Sequence, residues 1–126
     1  MSTKKILLVD DDSDVRTVVR DALEGSGYQI WEASDGSEAL NIWKTKASQI
    51  DLLLTDIIMP GGLNGRELAD KLKEERPYLK VILMTGYNPA LTEKTQSHIH
   101  ILPKPFSLEG LTETVRSCLD AARLAG

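Results

Sequence analysis

Leu52-Leu53-Leu54-Thr55-Asp56-Ile57-Ile58-Met59-Pro60 is the stretch that decides the fold of this chain. Its three leucines and Thr55 leave no polar face, which is typical of a strand buried on both sides in the middle of a parallel sheet. The strand is predicted over 50–55. A carboxylate, Asp56, follows it, and Pro60 then begins a loop. A lone aspartate in this position more often only starts a turn, so its meaning depends on the rest of the chain.

Four further apolar segments predict strands that alternate with helices. Strands are predicted at 6–9, 28–33, 79–85 and 98–102, and helices at 15–23, from 35, from 64, thinly over 91–97, and from 107 onward. Asp35 with Glu38 and Asn64 with Glu67 have the spacing of a helix-starting capping box, and Ser107 is predicted to cap the last helix. Such alternation requires right-handed crossovers. It predicts an α/β fold, a doubly wound five-stranded parallel sheet with a short or irregular fourth helix.

The bulk composition excludes several classes of protein. The 126 residues suit a single domain, 1–126, and 41% hydrophobic with 27% charged residues is ordinary for a soluble globular protein. The single cysteine, Cys118, allows no internal disulfide and favours a small buried apolar side chain in a reducing, cytoplasmic setting. No apolar run approaches the ~20 residues that cross a bilayer, so no membrane insertion is expected. A net charge of −4 without a basic cluster argues against direct nucleic-acid binding.

Polar side chains stand at the ends of four of the predicted strands. Asp10 and Asp11 follow the first strand, Asp56 the third, Thr85 the fourth and Lys104 the fifth. In a doubly wound sheet the ligand binds outside the carboxyl ends of the strands, where the strand order reverses. These five side chains are therefore expected to meet on one edge of the sheet.

The expected cluster has the chemistry of phosphoryl transfer. Three crowded carboxylates repel one another, and Mg²⁺ relieves that repulsion while leaving positions for phosphate oxygens. Asp56 would attack phosphorus in line, Thr85 would donate a hydrogen bond, and Lys104 would neutralise developing charge together with the metal.

Four motifs, in this order and at these spacings, resemble the receiver domain of bacterial two-component response regulators: Ile6-Leu7-Leu8-Val9-Asp10-Asp11-Asp12, Leu54-Thr55-Asp56-Ile57-Ile58-Met59-Pro60, Leu83-Met84-Thr85-Gly86 and Leu102-Pro103-Lys104-Pro105-Phe106. The resemblance covers the whole chain and implies a flavodoxin-like (βα)5 fold with strand order 2-1-3-4-5. It implies a phosphoprotein whose Asp56 becomes a 4-aspartylphosphate. The phosphoryl donor would be a sensor histidine kinase or a phosphotransfer domain, and the chain would catalyse only its own phosphorylation and dephosphorylation.

The resemblance also implies a set of metal ligands. Asp11, Asp56 and the backbone carbonyl of Ile58 would bind Mg²⁺, and Asp10 would act mostly through a metal-bound water.

The resemblance further implies a switch. Thr85 would be the switch hydroxyl and Lys104 the phosphate partner, joined to Pro105 by a cis peptide bond. Phosphorylation would change the surface formed by the fourth helix, fifth strand and last helix, which an output domain or downstream protein would sense. The chain would be a monomer or a weak homodimer.

The chain departs from the family pattern near this switch. Ile101 stands where an aromatic residue usually reports on phosphorylation, and the loop after Pro60 is one residue longer than the common form. We hypothesise that Ile58 and Tyr87 set the lifetime of the phosphoryl group, because they flank the path of the attacking water. The wording of the motifs is similar to receivers fused to hybrid sensor kinases.

Other interpretations stay open at this point. A haloacid-dehalogenase-type phosphatase would be phosphorylated on Asp10 and use Asp12 as general acid, and a receiver-like interaction module would carry no phosphate. The acidic run could merely favour a helix N-terminus. His98 and His100 share a strand face, which is a weak pattern for zinc without a third ligand.

Overall fold

The computed structural model describes residues 3–59, 62–86 and 99–125, with only the backbone path for 121–125. Its strands are β1 (Lys5–Val9), β2 (Gln29–Ala33), β3 (Leu52–Asp56), β4 (Lys80–Thr85) and β5 (Ile99–Pro103). Its helices are α1 (Ser13–Gly25), α2 (Gly36–Lys46), α3 (Gly65–Glu75) and α4 (Leu108–Ala125), and a 3₁₀ turn, Ala47–Gln49, follows α2. The short helix predicted over 91–97 lies outside the described residues, so α4 is the last helix of the chain. None of the helices described has the length and apolar character needed to cross a membrane.

The five strands form one parallel sheet in the order β2-β1-β3-β4-β5. This confirms the predicted flavodoxin-like order. The chain moves from β2, at one edge, across β1 to β3, so the order reverses between β1 and β3. Val9 is in register with Thr55 on these two strands, and the residues that follow both strands emerge at the same edge.

Three of the strands begin later than predicted, because their first apolar residues take part in the preceding turns. The Tyr28 amide donates to the Leu23 carbonyl at 3.1 Å, and the Leu79 amide donates to the Arg76 carbonyl at 3.0 Å. The strand predicted over 50–55 begins only at 52. The Ile50 amide donates to the Lys46 carbonyl at 3.2 Å, in the turn that precedes β3.

The sheet separates two hydrophobic clusters, one on each face. Leu53 belongs to the cluster under α2 and α3, whereas Leu52 and Leu54 belong to the cluster under α1 and α4. All three leucines are fully buried, as the uninterrupted apolar run predicts for a central strand. Cys118 is also fully buried, and burial raises the pKa of its thiol to about 11. Its predicted role as a small apolar side chain is confirmed.

Side-chain caps start the helices where the sequence predicts them. Asn64 and Glu67 form a complete capping box at α3. At α2 the Asp35 carboxylate accepts the Glu38 amide at 2.9 Å, but the return bond of Glu38 goes to the Ser34 amide. The predicted box at α2 is therefore only half formed, since Glu38 reaches one residue further back.

The other two helices have single caps. Asp12 is the N-cap of α1 and accepts the amides of Asp14 and Val15. The Ser107 hydroxyl accepts the Gly110 amide at 2.9 Å, which confirms the predicted cap of the last helix.

Candidate functional site

Three carboxylates meet where the strand order reverses. Asp10 follows β1, Asp11 is its neighbour and Asp56 ends β3, and one oxygen from each lies within 4.8 Å of the others. Asp10 is fully buried, Asp56 is partly buried and Asp11 is exposed. We call these residues the acid triad. Within the part of the chain that the structure describes, no other group of three acidic, histidine or cysteine side chains is close enough to hold an ion.

Asp10 is bonded through each of its polar atoms. Its amide donates to the Ala33 carbonyl at 3.1 Å, and its own carbonyl accepts from Arg16 Nη1 at 2.7 Å. Its Oδ1 accepts the Asp12 amide at 2.9 Å, and Lys104 Nζ lies 3.4 Å from its Oδ2. The buried carboxylate is thus fixed in place, and one of its oxygens is already occupied by a backbone donor.

The Asp56 carboxylate lies in surroundings that disfavour its negative charge. Burial raises the pKa of its carboxyl, the Asp10 and Asp11 carboxylates raise it further, and Lys104 opposes them without cancelling the shift. Its side chain is 13% exposed. The structure therefore places a partly accessible carboxylate in an electrostatic setting that a bound cation would improve.

Lys104 bridges the fully buried Asp10 and the partly buried Asp56. Its Nζ lies 3.4 Å from Asp10 Oδ2 and 3.4 Å from Asp56 Oδ1. Burial alone would lower the pKa of Lys104, but the two carboxylates together outweigh burial, so the pKa is raised and the side chain stays an ammonium. The peptide bond from Lys104 to Pro105 is cis, as the family resemblance implied.

Thr85 ends β4, beside the strand that carries Asp56. Its side chain is buried, and its hydroxyl donates to the carbonyl of the next residue, Gly86, at 2.9 Å. The hydroxyl therefore bonds to the adjacent backbone rather than to the acid triad. The Thr85 carbonyl accepts the Lys104 amide at 2.6 Å. This bond ties the ends of β4 and β5 together on the edge that holds the triad.

The residues predicted to modulate the site lie in different surroundings. The Ile58 side chain is 79% exposed beside the triad. Ile101 is partly buried and packs against the cluster under α2 and α3. Tyr87 lies outside the described residues, as does His98, and His100 is partly buried.

The triad fits a hard divalent cation such as Mg²⁺. It offers only carboxylate oxygens, which Mg²⁺ prefers, and one of them has a raised pKa because its negative charge is not fully compensated. Asp11 and Asp56 are accessible enough to serve as direct ligands. Asp10, whose two carboxylate oxygens already accept hydrogen bonds, is better suited to contact the ion through a water molecule.

Arg16 is the first feature of this site that the sequence analysis did not predict. Arg16 binds the Asp10 carbonyl and also approaches Glu32 Oε1 at 3.4 Å. An arginine on an exposed helical stripe is usually a solvated charge, and no motif links it to the acids six residues earlier.

Gly65 is the second unpredicted feature, because its lack of a side chain lets α3 start against the backbone of Asp56. A Cβ at Gly65 would lie 2.0 Å from the Asp56 carbonyl oxygen, and the Gly65 amide donates to the Ile57 carbonyl at 2.8 Å. The available signal was a glycine in the first turn of a helix, where alanine is the better helix former.

Comparison with known proteins gives a consistent result. The family described as "Response regulator receiver domain" matches residues 6–116. The response regulator receiver protein CpdR of Brucella abortus is 36% identical over 122 residues, covering 94% of this chain and 99% of CpdR. The sensor kinase CckA of the same organism is 35% identical over 118 residues, covering 91% of this chain but only 12% of the kinase. A CheY-like receiver domain structure from Methanospirillum hungatei superimposes with a TM-score of 0.86 at 29% identity, covering 99% of this chain and 100% of that one.

Proposed function

Because this chain belongs to the response regulator receiver domain family, we propose that it is a phospho-accepting signalling switch whose acceptor is Asp56. The observation that carries the proposal is the bridge at Lys104. One ammonium lies 3.4 Å from both Asp10 and Asp56, beside an exposed third carboxylate. The site thus combines a nucleophile, a cation for the phosphoryl oxygens and the ligands for Mg²⁺.

Each residue has a distinct task in the transfer. Asp56 Oδ forms a P–O bond as the P–N bond to the phosphohistidine of a kinase or phosphotransfer domain breaks, and the leaving imidazole nitrogen takes a proton from solvent. Lys104 moves from a carboxylate oxygen to a phosphoryl oxygen. Bound Mg²⁺, held by Asp11, Asp56 and the Ile58 carbonyl, would neutralise charge on the transferring group.

The switch follows from the new charge. A phosphoryl group on Asp56 adds negative charge and acceptor oxygens, so the Thr85 hydroxyl can exchange the Gly86 carbonyl for a stronger, charged acceptor. Because the Thr85 carbonyl also holds the Lys104 amide, the ends of β4 and β5 shift together. The surface that includes β5 and α4 then reports the phosphorylated state to an output domain or downstream protein.

The rival assignments have less support. A nucleophilic Asp10, as in a phosphatase, is disfavoured because its carboxylate is fully buried and engaged by the Asp12 amide and Lys104. A module that carries no phosphate is less favoured because Lys104, Asp56 and the exposed Asp11 together equip the site for a phosphoryl group and a cation. We propose that residues 1–126 form one receiver domain that works in the cytoplasm, in keeping with the lone buried thiol of Cys118.

Incubation with acetyl phosphate and Mg²⁺, followed by peptide mass spectrometry, tests the assignment. We expect one phosphoryl group, on Asp56, that is lost in Asp56→Asn and when a chelator removes the metal. A label on Asp10 would support the phosphatase instead. An unlabelled protein that binds Mg²⁺ normally would support the inert module.

A further inference from the structure

The Arg16 side chain reaches back from the first turn of α1 to the loop that carries two members of the acid triad. Its Nη1 donates to the Asp10 carbonyl at 2.7 Å, and its Nε lies 3.4 Å from Glu32 Oε1 on β2. The side chain is 19% exposed. One guanidinium thus connects the helix, the neighbouring strand and the loop.

The peptide that Arg16 holds is the one that joins Asp10 to Asp11. Asp11 is exposed, so packing does not fix its carboxylate, and its position depends on the orientation of that peptide. The Asp12 amide, bonded to Asp10 Oδ1 at 2.9 Å, restrains the chain on the other side of Asp11. Arg16 therefore supplies one of the two hydrogen bonds that flank this ligand.

Arg20 provides an internal comparison. It lies one turn further along α1, and its Nη1 donates to Glu32 Oε2 at 2.8 Å. Its other hydrogen bonds go to the neighbouring Asp21 rather than to the loop of the triad. Arg16 and Arg20 thus share Glu32, but only Arg16 contacts the Asp10 carbonyl.

We infer that Arg16 is a positioning residue that increases the Mg²⁺ affinity of the acid triad by orienting the Asp10–Asp11 peptide. The inference rests on the proposed function. A hydrogen bond to the backbone of a ligand-bearing loop acts as an outer-shell contact, and loss of such contacts costs about 10–100-fold in metal affinity.

The sign of the effect separates this role from a purely electrostatic one. A guanidinium near three carboxylates competes with any added cation, so removing its charge alone would tighten Mg²⁺ binding. Removing the hydrogen bond would instead loosen the Asp10–Asp11 peptide and weaken binding. The inference requires that the loss of geometry outweigh the gain in charge.

The test compares the Mg²⁺ dissociation constants of four proteins: the wild type, Arg16→Met, Arg16→Lys and Arg20→Met. Each is titrated with Mg²⁺ at fixed ionic strength, and binding is monitored by the shifts of the amide NMR signals. Urea unfolding of each variant gives its stability separately. We expect Arg16→Met to raise the Mg²⁺ dissociation constant about tenfold or more, and Arg16→Lys, which keeps the charge without the planar fork, to raise it as well. Arg20→Met should bind Mg²⁺ like the wild type, although it too removes a contact with Glu32.

An unchanged or lower dissociation constant in the Arg16 variants would overturn the inference. So would equal weakening in Arg20→Met, because that result would assign the effect to Glu32. If Arg16→Met does not fold, Arg16→Lys decides the question. The proposed function fails separately, when the wild type binds no Mg²⁺ or when Asp56→Asn leaves binding intact.

Discussion

Replacing Gly65 with alanine should move the phosphorylation site without unfolding the protein. The added Cβ would lie 2.0 Å from the Asp56 carbonyl oxygen, 2.9 Å from its carbonyl carbon and 3.0 Å from Ile57 Cα. Ordinary C···O contacts lie at about 3.3 Å, so α3 and the end of β3 must separate by roughly 1.3 Å. The neighbours are backbone atoms, so no side chain can rotate away.

Two effects follow from that displacement. The 2.8 Å bond from the Gly65 amide to the Ile57 carbonyl would break, and overpacking of this kind costs about 1–3 kcal/mol of unfolding free energy. Alanine recovers at most about 1 kcal/mol through its helix propensity. Misplacing a reacting group by about 1 Å can cost about 100-fold in rate, so we expect a loss of that order in phosphorylation by acetyl phosphate.

Gly36→Ala is the matched control for this change. Gly36 is the first residue of α2, as Gly65 is of α3, and each follows a capping residue. The three nearest atoms to a Cβ at Gly36 all belong to the Leu63 side chain, with Cδ2 at 2.7 Å and Cβ at 3.0 Å. Rotation of Leu63 removes the closest of these contacts, and none of the three involves backbone atoms of the site. Rates from phosphorylation time courses and unfolding free energies from urea titrations should separate the two variants. Wild-type phosphorylation in Gly65→Ala, or an equal loss in Gly36→Ala, would refute the reasoning.

Three further predictions concern the site itself. Asp56→Asn should stabilise the metal-free protein at neutral pH by on the order of 1 kcal/mol, because it removes a charge from beside two carboxylates. The folded-state pKa of Asp56 lies above its ordinary value of 3.8, so wild-type stability is lost as pH rises through that folded-state pKa. Urea titrations should therefore show the advantage of the variant growing from acid to neutral pH, and an advantage that shrinks over this range would contradict the assigned shift. Lys104→Met should slow phosphorylation about 100-fold while binding Mg²⁺ no more weakly, since the ammonium competes with the metal; weaker binding in a metal titration would disprove this. Ile58→Asn should shorten the lifetime of the phosphoryl group, because an amide beside the triad can orient water where the alkyl chain cannot. Decay of the phosphorylated protein after the donor is removed measures this, and an unchanged decay rate would remove Ile58 from the hydrolytic path.

The central position of β3 was predictable because a run such as Leu52 to Leu54 leaves no polar face for solvent, as in a strand buried on both sides. The full strand order came from the family resemblance. The acids and Lys104 could be assigned to one edge because parallel strands present their carboxyl ends together. Strand starts were less predictable. Apolar residues such as Tyr28 and Leu79 continue the pattern of the strand, although their amides bond to the preceding turn.

The supporting contacts of the site were beyond sequence reasoning for a different reason. Arg16 and Gly65 contact backbone carbonyls. Every residue has a backbone carbonyl, so no residue type marks the position of such a contact. Such contacts depend on how closely one element approaches the backbone of another, which the residue types do not encode. Only coordinates reveal them.

The single thiol of this chain, on Cys118, can be used to measure the stability of the fold. With a pKa of about 11 and no exposed surface, the sulfur cannot meet an alkylating reagent near neutral pH while α4 stays against the sheet. Labelling kinetics would therefore measure how often that helix lifts away. Variants distant from α4 could then be ranked in dilute samples or crude extracts, without an added dye.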